Sequence, residues 1–143
     1  MIEIERIDVT VPDHLTVQFI ESWFNEICTI HNRKLGDVTL IFCNDDYLLS
    51  INNQYLNHNY YTDIITFNYN ESNVVNGDFF ISIDRVLDNA PQFNSTFENE
   101  LHRVCCHGLL HLCGFNDKTP EEECFMRVQE QACLDRVLFH VKH

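Results

Sequence analysis

Between about Ser95 and Cys113 the apolar residues Phe97, Leu101, Val104, Cys105, Leu109 and Leu112 recur at helical spacing, which predicts a long helix buried along most of its length. That helix carries His107 and His111 four residues apart. Residues at this spacing lie one above the other on one helix face, so both imidazoles can reach a single ion. Gly114 follows three residues after His111 and can adopt the left-handed conformation that ends a helix and turns the chain back. Asp117 is thereby carried toward the same ion. The segment HGLLHLCGFND thus places three potential ligands at the spacing H-x-x-x-H-x-x-G-x-x-D.

Two imidazoles and a carboxylate suit one zinc ion with an open fourth position, the arrangement of a catalytic rather than a structural site. Zinc held in this way acidifies a bound water and polarises a carbonyl or phosphoryl oxygen, so hydrolysis is the expected chemistry. The alternative gives His107 and His111 ordinary polar contacts and makes Asp117 a turn residue. That reading fits a lone histidine better than it fits this pattern. Imidazole and carboxylate ligands also accept nickel, iron and other divalent ions, so the spacing alone leaves the metal open.

A chain of 143 residues with 45% hydrophobic residues and no low-complexity tract is expected to form one domain, residues 1–143. The N-terminus MIEIERIDVT carries charges where a signal peptide needs an apolar run, and no stretch is long and apolar enough to span a bilayer. A soluble, cytoplasmic protein without membrane contact is the expectation, and the oligomeric state is left open. The seven cysteines are odd in number and form no C-x-x-C pair, which argues for reduced thiols, several in the core, rather than a disulfide framework. A formal charge of -13 disfavours non-specific attraction to nucleic acid, so any RNA contact must be local.

Ile2, Ile4 and Val9 alternate with charged neighbours in the manner of a half-buried strand, with a slip in phase before Ile7. Residues 14–31 read as an amphipathic helix with Asp13 as N-cap. Val38–Cys43 reads as a strand, and Asn44 or Asp45 can cap a helix reaching Leu56. Strands are expected from Asp63 to about Tyr69 and from Asp78 to Ile83, paired as a hairpin, with a short helix over residues 84–89 ending near Ala90-Pro91. Thr119-Pro120-Glu121-Glu122 is a helix start, and the last helix is expected to reach about Phe139. The result is an α+β fold with a mixed sheet of about four strands and four or five helices, the His107/His111 helix packed on the sheet.

Helical zinc proteases place a glutamate immediately after the first histidine as general base. Here that position is Gly108, which weakens a peptidase reading. HGLLHLCGF instead resembles the signature of the YbeY family of bacterial metal-dependent endoribonucleases and 16S rRNA maturation factors. The resemblance extends to Asn52, Tyr55 and Thr62-Asp63-Ile64-Ile65-Thr66-Phe67, similar to the family's T-D-V-L-S-F, and to Gly77-Asp78-Phe79-Phe80-Ile81-Ser82, similar to its G-D-I-x-I-S. Met126 and Glu130 fit its C-terminal helix. The resemblance implies a zinc-dependent hydrolase that cleaves single-stranded RNA in 16S rRNA maturation and ribosome quality control, with the ribosome as partner.

Two positions depart from the family pattern. The third ligand there is usually a histidine where this chain has Asp117, preceded by an aspartate where it has Asn116. Aspartate binds zinc, but its negative charge makes the ion less electrophilic. The second departure is Leu56, where the family commonly has an arginine, with His58 at a neighbouring lysine position. Leucine cannot grip phosphate. Arg85 and Arg103 are candidate replacements, the alternative being salt bridges. Thr62-Asp63 and Asp78 read as turn or capping residues, Glu100 as solvated or salt-bridged, Cys106 and Cys113 as core residues, and His102 as pointing away from the site. His140 and His143 are candidates for adventitious metal only. The general base is unassigned. The rival functions are a non-catalytic ribosome assembly factor in which zinc organises the loop after Gly114, and a zinc peptidase.

Overall fold

Phe42 and Cys43 are neighbours in sequence, yet a strand sends them to opposite faces, and each enters a different apolar cluster. Phe79 and Ile81 join Phe42, whereas Phe80 packs beside Cys43 on the other side. This alternation builds a four-stranded sheet in the order β1-β2-β4-β3. β1 (Ile2–Arg6), β2 (Lys34–Cys43) and β4 (Val74–Ser82) run parallel, and β3 (Ile64–Asn68) is an antiparallel edge strand in register Ile64 to Ile81 and Asn68 to Gly77. The computed structural model describes residues 1–58 and 60–141, so His143 lies outside the described residues.

α1 (Val17–Ile30) and α4 (Phe97–Leu112) cover one face, and α2 (Asp45–Leu56) lies on the other. The remaining helices are α3 (Ile83–Gln92), α5 (Pro120–Leu134) and the short α6 (Leu138–Val141). α1 buries Phe19, Ile20, Trp23, Phe24, Ile27 and Cys28, a stripe at helical spacing. Each large side chain in such a stripe contributes roughly 1.5–3 kcal/mol through burial. α4 can lie close on β3 and β4 because of Gly108. A Cβ there would stand 2.8 Å from Ile64 Cδ1 and 3.3 Å from Thr66 Cγ2. Among the described residues no helix is long and apolar enough to cross a membrane.

The α+β class, the hairpin and the packing of the histidine helix on the sheet agree with the sequence reading. Several boundaries differ. α1 starts later than its apolar pattern suggests because Thr16, not Asp13, caps it, accepting from Phe19 N–H at 3.1 Å. β2 begins at Lys34 through pairing with Val74 and Val75, with an irregularity between Leu35 and Val38. α3 continues through Pro91 to Gln92, where the proline donates no N–H and the helix ends one residue later. The C-terminal segment breaks after Leu134 into α5 and α6 rather than continuing as one helix.

Candidate metal centre

The end of α4 and the start of α5 are both pinned by local bonds, which positions the loop between them. Gly114 adopts φ +102, Gly114 N–H donates to His111 O at 3.0 Å, and Phe115 N–H donates to Leu110 O at 3.1 Å. This is the Schellman pattern that glycine at this position permits. Arg33 holds the same turn through a 3.1 Å bond to Cys113 O. At the far end Thr119 and Glu122 form a reciprocal capping box, with Pro120 in the first turn of α5. Asp117 lies between these anchors and folds back over α4.

His107 Nε2 lies 3.2 Å from Asp117 Oδ2, His111 Nε2 lies 3.4 Å from the same oxygen, and the two Nε2 atoms are 3.0 Å apart. Tetrahedral zinc with ligands at about 2.0–2.1 Å sets neighbouring donors about 3.3 Å apart. The three residues therefore fit a small divalent cation, and as a group they could hold one.

Behind His107 is a buried charge network. His107 Nδ1 is 2.5 Å from Glu130 Oε2, on α5. Burial pushes the Glu130 carboxyl up, but the His107 hydrogen bond and the Arg103 charge outweigh it and hold the carboxyl below its usual range. Glu130 is therefore the acceptor and Nδ1 carries the proton, which leaves the Nε2 lone pair directed at the site. Arg103 donates to Glu100 at 2.6 and 2.9 Å and to Glu130 at 3.3 Å, and lies 3.6 Å from Asp63 Oδ2. Three carboxylates thus surround one guanidinium. Burial raises the Asp63 carboxyl above its ordinary value, with Arg103 and His107 opposing the shift. The surplus of negative charge next to His107 favours a cation in front of it.

An open cleft of about 210 Å³ leads to this group, lined by Arg103, His107, Asp117, Glu123, Met126, Arg127 and Glu130. A second cleft of about 220 Å³ shares Arg103, Arg127 and Glu130 and extends past Phe93. Arg85 lines neither. It bonds to Asp45 at 3.1 Å and Asp88 at 2.6 Å and lies over the Tyr61 ring. Glu100 is buried and paired rather than solvated, and His102 faces His14 at 2.7 Å, away from the cleft. Cys106 and Cys113 are core residues, and burial pushes the Cys106 thiol well up. Glu130 was legible only as a fit to the family's last helix. Nothing in its spacing from His107 signals the hydrogen bond. Arg127 and Phe93 carry no motif at all, and Asp63, read as a turn residue, also faces Arg103.

The sequence model of the family described as Endoribonuclease YbeY matches residues 1–138, a span that includes every residue of the site. The endoribonuclease YbeY of Phocaeicola vulgatus is 45% identical over 134 residues, 94% of this chain and 96% of that protein. That of Parabacteroides distasonis is 47% identical over 115 residues, 80% of this chain and 81% of its own. The solution structure of a Thermotoga maritima protein is 28% identical with a TM-score of 0.65, covering 96% of this chain and 89% of that one. Coverage in both directions means that the α4–α5 pair and its loop lie within the matched architecture.

Proposed function

The chain belongs to the endoribonuclease YbeY family, and on that premise we propose that it is a zinc-dependent endoribonuclease, cleaving single-stranded RNA in 16S rRNA maturation and ribosome quality control in the cytoplasm. The observation that carries the reading is the convergence of His107 Nε2, His111 Nε2 and Asp117 Oδ2 beside an open cleft lined by His107 and Asp117, on a chain of this family. His107, His111 and Asp117 hold the ion. When bound, zinc supplies Lewis acidity toward a phosphoryl oxygen and toward the attacking hydroxyl or water. Glu130 keeps His107 in the tautomer whose Nε2 is a ligand, and Arg103 holds Glu130 in place, so both are positioning residues. Arg103 is bound by carboxylates on three sides, which favours this role over a direct phosphate grip. Arg85, paired with Asp45 and Asp88, remains the more distant candidate for phosphate.

The test is elemental metal analysis of the wild type beside Asp117→Ala, followed by cleavage of an unstructured RNA with and without chelator. One zinc in the wild type, reduced in the variant, with chelator-sensitive cleavage abolished in His111→Ala, is the expected result. Product ends then identify the nucleophile, since a 2′,3′-cyclic phosphate implicates the 2′-hydroxyl and a 3′-hydroxyl implicates water. Absence of zinc after loading under reducing conditions would remove the hydrolase reading.

A ribosome assembly factor in which zinc only orders the loop after Gly114 is the second reading. The charge of -13 and the exposed Leu56 at the family's arginine position favour it. RNA turnover lost in His111→Ala would exclude it. A peptidase is disfavoured because Gly108 supplies no carboxylate and its position faces the apolar groups of Ile64 and Thr66 on the sheet.

A further inference from the structure

We propose that Phe93 and Arg127 form a subsite for one unpaired nucleotide of RNA beside the metal centre, the base stacking on Phe93 and a phosphate meeting Arg127. This deepens the RNA-substrate reading above and rests on it. Phe93 is the C-cap residue of α3 and leaves 51% of its surface exposed, although a ring of this size is normally among the most buried side chains. It forms part of the wall of the second cleft, which joins the metal cleft at Arg103, Arg127 and Glu130. The Arg127 guanidinium lies 5.2 Å from the ring centroid and that of Arg103 5.9 Å. Both guanidinium groups lie over the ring, and a base can take the place that Arg127 leaves when it turns to a phosphate. This is the chemistry that holds single-stranded nucleic acid, whose unstacked bases offer a π face and whose phosphates need a cation. A duplex offers no unstacked base.

The two arginines are not equivalent. Arg103 has a side chain 15% exposed and is held by Asp63, Glu100 and Glu130, whereas the Arg127 side chain is 53% exposed and its ion pair to Glu130 is 3.6 Å long. Arg127 can swing to a phosphate without leaving a buried charge unpaired. On a chain with a net charge of -13, a local cation of this kind is required to hold a polyanion near the centre. Ser95, Asn99 and Gln131 line the same cleft and offer hydrogen-bonding groups to base edges.

The test uses zinc-loaded full-length protein and a fluorescent, unstructured oligoribonucleotide, with Kd read by anisotropy, KM and kcat by cleavage, and zinc content measured in parallel. Phe93→Ala is expected to weaken Kd and raise KM roughly five- to a hundredfold, the range for loss of one stacked base, with kcat and zinc content retained. Phe93→Trp should restore affinity. Arg127→Ala should weaken binding and reduce the slope of log Kd against log salt by about 0.7, one phosphate on a single strand, whereas Phe93→Ala should leave that slope unchanged. Unchanged Kd in Phe93→Ala and Arg127→Ala with zinc retained would overturn the subsite while leaving the nuclease reading intact. Binding that depends on both residues in a protein without turnover would support the subsite and remove the nuclease. A wild type that neither binds nor cleaves RNA would overturn both.

Discussion

His107 Nδ1 on α4 donates to Glu130 Oε2 on α5, a 2.5 Å bond between residues 23 apart in sequence. The bond ties the candidate metal centre to the packing of the two helices, so a change on α5 is expected to act on a ligand it does not share an element with. Glu130→Ala should lower zinc affinity roughly 10- to 100-fold, the usual effect of losing the partner of a ligating histidine. Glu130→Gln, which keeps a carbonyl acceptor, should fall at the low end. Competition against a chelating dye measures this, and equal affinity in wild type and Glu130→Ala would refute the role.

Arg103→Ala should destabilise the fold before it affects chemistry. It would leave Glu100, 1% exposed at the side chain, without its guanidinium, and Glu130, 3% exposed, with only the longer pair to Arg127. Breaking a buried pair by removing one partner costs about 3–5 kcal/mol. Denaturant unfolding of wild type and variant is the measurement. A stability loss within about 0.5 kcal/mol, the range of an ordinary surface substitution, would mean that the carboxylates do not depend on Arg103.

Asp117 is 37% exposed at the side chain, which leaves room for a larger donor. Asp117→His replaces a negative ligand with a neutral one and should keep one zinc while raising kcat severalfold, because the ion becomes more electrophilic. Asp117→Ala should lose zinc. Zinc content and single-turnover cleavage read both arms, and a slower Asp117→His with full zinc would contradict the charge argument.

Acid sensitivity should come in part from His102. Burial, and then the charge of His14, pull its imidazole down to about 4, against 6.5 for the ordinary group. Between these values the unfolded chain binds a proton that the folded chain does not, so stability falls as pH drops from about 6.5 and levels off below about 4. The full loss is of order 3 kcal/mol at 1.36 kcal/mol per pKa unit. Denaturant unfolding at several pH values should show this slope in the wild type and a flatter one in His102→Gln.

What is local could be read from residue order alone. The histidine spacing, the stop at Gly114, the Thr119/Glu122 capping box and the Asn44 cap are interactions among residues three to six apart, so residue type and periodicity specify them. The β3–β4 hairpin was legible for a related reason, because a turn signal joins adjacent strands. Which arginine is enclosed, which carboxylate faces His107 and what stands beside the cleft depend on how the elements pack. Arg103 meets Asp63 from 40 residues away and Glu130 from 27, and Phe93 meets Arg127 across α3 and α5. The order β1-β2-β4-β3 is likewise a matter of parallel pairing between distant segments. Periodicity says which face of a helix is buried but not which side chains lie opposite it. Those partners emerge only when the helices pack, because side-chain pairing across elements depends on rotation and separation that no local pattern encodes.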